Sequence, residues 1–184
     1  MMKQPIFFLA LLLILFFSSC DNQTGKSKEE VKTYFDIKNY FLQQAKLLSD
    51  GNVYLKKKII KDGKTEEKLF SIVDWQKELK PFSDCNINKP AWAHSYVADT
   101  LFSEGKLSVK YITRDITLPI KEIKLNFENN RLVRMFIHKQ TSNSYYTAKN
   151  DYVFETDSGF VITGLQEVML ADKTIYSIAA KFVR

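Results

Sequence analysis

Two histidines, His94 and His138, and two cysteines, Cys20 and Cys85, make up this chain's whole supply of imidazoles and thiols. A transition-metal site draws three or four His, Cys or acidic ligands together, and two imidazoles far apart in sequence do not suggest one. His138 sits in RLVRMFIHK, in phase with Leu132, Arg134 and Phe136 and opposite Val133, Met135 and Ile137, so it reads as a boundary imidazole on a strand. His94 lies in Trp92-Ala93-His94-Ser95-Tyr96 and reads as a packing or hydrogen-bonding residue beside two aromatics. Cys85, between Asp84 and Asn86, could in principle pair with either histidine as nucleophile and base, but a small residue in a semi-buried loop is the simpler reading. No G-x-S-x-G is present. The glycines fall at turns or in a linker, apart from Gly164 inside a strand pattern, so no phosphate-cradling loop precedes a helix. Asp99, Glu104, Asp115, Glu122, Asp151 and Glu155 fall mostly at turns and exposed strand positions, where nothing selects an acid–base pair. The expectation is a protein that is not an enzyme and uses no cofactor or metal.

Binding chemistry is better represented. Lys56-Lys57-Lys58 is the densest basic run. On a strand, Lys57 shares a face with Leu55 and Ile59, while Lys56 and Lys58 share the other with Tyr54 and Ile60. The run reads as a charged guard on an exposed edge strand, with contact to an anionic lipid or polysaccharide as the alternative. Tyr145, Tyr146, Tyr152, Phe154 and Phe160 gather near one hairpin. As core they fill space; as a pocket, Tyr146, Tyr152, Phe154, Tyr176 and Ile178 are the candidate lining for an apolar ligand. The formal net charge of +6 is modest, and both signs are interspersed, which argues against a nucleic-acid face.

The amino terminus sets the compartment. Lys3 precedes an unbroken apolar run from Ile6 to Phe17, and Ser18 and Ser19 lead into Cys20. Twelve helical residues span about 18 Å, short of the ~30 Å hydrocarbon core, so the run reads as a signal peptide rather than a spanning helix. Phe17-Ser18-Ser19-Cys20 resembles the lipobox of bacterial lipoproteins, with Phe17 where that family usually has an aliphatic residue. The resemblance covers residues 1–20 alone. It implies cleavage before Cys20 and lipidation of its thiol. The two or three acyl chains of that family hold a protein on a membrane where one chain binds only marginally. The implied location is the bacterial cell envelope, at the outer membrane, and Lys28-Glu29-Glu30 faintly resembles the export tags of surface lipoproteins. With Cys20 acylated, Cys85 has no intrachain disulfide partner, and the fold must stand on its core.

The expected organisation is a signal peptide over 1–19, a lipidated cysteine and flexible linker over 20–28, and one α+β domain over 29–184. Ser27 and Glu30 match a capping box, and apolar residues at helical spacing predict a helix over roughly 29–49 closed by Asp50-Gly51. The period then becomes two. Asp62-Gly63, Glu104-Gly105, Asn129-Asn130, Ser158-Gly159 and Ala171-Asp172-Lys173 supply turns between strands, and DWQKELK between Asp74 and Pro81 reads as a short helix. Strands are expected near 96–102, 106–114, 116–127, 131–141, 144–156, 160–170 and 174–183. Ile116, Leu118 and Ile120 alternate on even positions but Ile123, Leu125 and Phe127 on odd ones, which predicts a bulge near Lys121-Glu122. The last two strands are apolar on both faces, which predicts cover on both. The whole reads as one N-terminal helix on a strongly curved antiparallel sheet of about seven to nine strands, a half-barrel-like meander. Two roles suit such a domain: a membrane-tethered interaction or assembly module with an envelope protein partner, or a carrier cup for a lipid-like ligand.

Overall fold

Turn chemistry organises the strands of this protein, whose residues 33–184 are described by a computed structural model. Asp62-Gly63, Glu104-Gly105 and Asn129-Asn130 all take positive φ, as two-residue hairpin turns demand. They join β1 (Tyr54–Lys61) to β2 (Lys64–Phe70), β3 (Tyr96–Ser103) to β4 (Lys106–Thr113), and β5 (Ile120–Glu128) to β6 (Arg131–Ser142). β7 (Tyr146–Glu155), β8 (Gly159–Val168) and β9 (Thr174–Val183) complete a nine-stranded sheet in the order β2-β1-β9-β8-β7-β6-β5-β4-β3. Every pairing is antiparallel. The chain is an α+β domain with its N-terminal helix on an antiparallel sheet. The predicted face change is present as a register shift between Ile120 and Glu122, and a second shift follows between Asn126 and Phe127.

The first described helix, α1 (Ile37–Asp50), begins eight residues later than the periodicity suggested. Asp36 is its cap, its side chain accepting from the Asn39 N–H at 3.0 Å. Tyr34 and Phe35 lie before the helix because their backbone is engaged elsewhere. The buried Asn88 side chain accepts from Tyr34 N and donates to the carbonyls of Tyr34 and Phe35 (2.9, 2.9 and 3.2 Å). The proposed Ser27 cap and the signal peptide lie outside the described residues. The second helix, α2 (Trp75–Ser83), is capped by Asp74, but Pro81 sits inside it rather than ending it. Burial of Leu79 and Phe82 on either side of the proline outweighs the hydrogen bond it cannot make.

Residues 116–119 do not join a strand. The Asp115 carboxylate accepts from Thr117 N and Oγ1 at 2.8 and 2.6 Å, and this local turn displaces ladder pairing just before Pro119.

Both helices lie on one face of the sheet. Phe41 and Ala45 of α1 and Leu79 and Phe82 of α2 pack with Leu55, Phe154, Phe160, Ile162 and Ala180 in a single core. Phe82 is its hub, meeting Phe41, Tyr152, Phe154 and Phe160 at ring-centroid distances of 5.1 to 5.8 Å. Gly164 makes room in this layer, since a Cβ there would strike the Tyr176 ring. The opposite face carries no helix among the described residues, contrary to the expectation of cover on both sides. Ile175 remains 58% exposed and Val161 38% there. Both helices precede β3 in the chain.

Candidate functional site

Alternation brings the five candidate lining residues to one side. Tyr146, Tyr152, Phe154, Tyr176 and Ile178 occupy even positions of β7 and β9, facing the helices. Phe154 is fully buried, with Phe41 at 4.9 Å and Phe82 at 5.8 Å between ring centroids, so protein side chains occupy the space beside it. Tyr152 packs on Phe82, and burial pushes its phenol well above the usual range. Tyr176 donates to Asn150 Oδ1 at 2.6 Å across the empty place left by Gly164.

The lysine run divides as its alternation requires. Lys57 turns to the helix side, where its ammonium donates to Glu78 Oε2 of α2 at 2.6 Å and lies 5.6 Å from the Phe70 ring centroid. Lys56 and Lys58 lie on the open face, 3.6 and 3.7 Å from Glu67 of β2. The run guards no edge, because β1 lies between β2 and β9; the pairing of β9 with β1 joins residues that local pattern cannot relate.

Residues singled out for catalysis do not converge. The Cys85 thiol is fully buried, donates to the Pro81 carbonyl at 3.3 Å, and is pushed up to about 12 by burial. Such a thiol is far from the thiolate that nucleophilic chemistry needs. His138 pairs through Nδ1 with Asp151 at 2.6 Å on the open face, whereas His94 is exposed on the loop before β3. Among the described residues, no group of three or more His, Cys, Asp or Glu is placed to hold a metal. Glu122 on the open face has Lys110 and Lys124 at 3.3 and 3.1 Å from Oε1. Burial works to raise its carboxyl, but the two ammonium groups outweigh it and hold it below the usual value.

What the sequence reading missed is the difference between the two edges. β2 carries Lys64, Glu66, Glu67 and Lys68 along its length, the usual guard of an edge strand. β3 reads YVADTLFS, with Asp99 its single charge and no proline. Leu101 is 69% and Phe102 71% exposed. The absence of Lys and Pro from this strand was visible in the sequence; that it forms an edge was not. A surface depression of about 660 Å³ lies at the other end of the sheet, where Ile60, Leu165 and Ile175 are rimmed by Asp62, Lys149 and Lys173. No helix among the described residues is long and apolar enough to cross a membrane. No family model, no curated protein and no solved structure matches the chain.

Proposed function

We propose that this chain is a lipid-tethered envelope protein that works as a non-catalytic interaction or assembly module, held at the membrane through Cys20. The observation that carries the reading is where the accessible apolar surface lies. The helix side of the sheet is occupied by Phe41, Phe82 and Phe154, while the unguarded strand β3 exposes Val97, Leu101 and Phe102. A carrier needs an emptied interior; a docking protein needs an accessible edge or patch. The buried Cys85 thiol and the scatter of His94 and His138 add support to the non-catalytic part. Lipidation is supported by the apolar run ending at Ser18-Ser19-Cys20.

The test has two arms. Cys20→Ser in the full chain should leave the membrane fraction or accumulate unprocessed; normal processing with membrane retention overturns the tether. Cys85→Ser and His94→Ala should keep the protein's cellular activity, and a folded variant that loses it completely overturns the non-catalytic reading. The carrier role keeps one specific observation in its favour, the depression floored by Ile60, Leu165 and Ile175. Saturable binding of a fluorescent fatty-acid probe, abolished by Leu165→Glu, would establish that role instead.

A further inference from the structure

The outer row of backbone groups on β3 can be read from its hairpin. The Glu104-Gly105 turn is flanked by the pair Ser103 and Lys106, which in a two-residue hairpin exchange both backbone bonds. Odd residues of β3 therefore bond to β4, and even residues turn their N–H and C=O away from the sheet. Tyr96 agrees with this phase: its N and O both lie beside the Tyr34 hydroxyl, at 3.4 and 3.5 Å. Ala98, Thr100 and Phe102 have no such cover among the described residues, and they present a ready row of donors and acceptors.

We infer that β3 is the docking site for β3 of a second copy of this chain, paired antiparallel about a twofold axis at Thr100, which joins two sheets edge to edge. This rests on the interaction-module reading and names its partner. The strand is its own complement in this register. Thr100 pairs with the second copy's Thr100, and Phe102, the largest outward-row side chain, pairs with Ala98, the smallest. Asp99, the strand's single charge, faces Leu101 of the copy, and within its own sheet it lies opposite Lys110. A twofold axis at Asp99 would set two carboxylates against each other, so charge selects against that register. With one charge in eight residues, this edge offers a near-neutral row that its own copy fits. One strand pair buries much less than the roughly 1,200–2,000 Å² of a stable interface. The association is therefore weak in dilute solution and strengthened when both copies are held on one membrane.

Cross-linking of the full membrane-bound chain tests this. Thr100→Cys should form a reducible dimer under mild oxidation, whereas Glu104→Cys, equally exposed but far from its symmetry mate, should stay monomeric. Adding Ala98→Pro to Thr100→Cys removes an outward N–H without touching the β4 ladder, and should abolish the dimer. Leu101→Asp should do the same by setting a carboxylate against Asp99 of the copy, with unchanged circular dichroism for both variants. Equal cross-linking at Glu104, or a Thr100→Cys dimer that survives both variants, overturns the pairing. A Thr100→Cys adduct with a different protein also overturns it but leaves the interaction module standing. A Thr100→Cys chain that forms no adduct at all overturns the pairing, and the module reading is then decided by its own two-armed test.

Discussion

Replacing Phe154 with alanine separates a filled core from a ligand site. The ring is fully buried and is met by Phe41 at 4.9 Å, Phe82 at 5.8 Å, Phe182 at 6.1 Å and Tyr40 at 6.2 Å between centroids. These neighbours come from α1, α2 and β9, so collapse into the vacated space would require two helices and a strand to move together. Removing the ring leaves on the order of 100 Å³, which at about 24 cal/mol per Å³ contributes roughly 2.4 kcal/mol before the lost transfer energy of the ring. A total near the top of the usual range, about 4–5 kcal/mol, is expected. In a domain of this size that lowers the melting midpoint by roughly 10–15 °C. Urea unfolding followed by tryptophan fluorescence reads the loss directly, with the slope unchanged if the unfolded state is unaffected. A loss below about 1 kcal/mol would show that Phe154 borders space the protein does not fill. Such a result, together with altered binding of an apolar probe, would move the argument towards a carrier.

Three further outcomes follow from particular side chains. Asn88→Ala removes three hydrogen bonds to Tyr34 and Phe35 and should cost about 2–4 kcal/mol, with faster proteolysis of the segment before α1; unchanged protease resistance would refute that anchoring. The Cys85 thiol, buried and pushed up to about 12, should resist alkylation near neutral pH until the protein unfolds, and rapid labelling of the native protein would contradict its burial. Glu122, held below the usual carboxylate value of 4.5 in the folded protein, contributes stability above that value and loses it as pH falls through the folded one. Urea midpoints should therefore fall further on acidification in the native protein than in Glu122→Gln, and parallel curves would exclude the contribution.

The sequence alone determined what depends on neighbouring residues. Asp62-Gly63, Glu104-Gly105 and Asn129-Asn130 demand two-residue hairpins because positive φ suits Gly, Asn and Asp, and each hairpin sets its own register. The phase change between Ile120 and Ile123 was enough to locate a bulge, because side chains alternate strictly along a strand. The α+β class and the face of Lys57 follow from the same periodicities. Tertiary structure decided whatever depends on distant residues. β1 became an interior strand because β9 pairs with it across more than half the chain, and this left β2 and β3 as the two edges of the sheet. The helix start moved to Ile37 because Asn88, fifty-four residues from Tyr34, engages the backbone that would have formed its first turn. The five aromatic and aliphatic candidates on β7 and β9 could line a pocket or a core by pattern alone. The arrival of Phe41 and Phe82 from the two helices set their surroundings, because a strand's alternation says which side chains share a face and nothing about what packs against it.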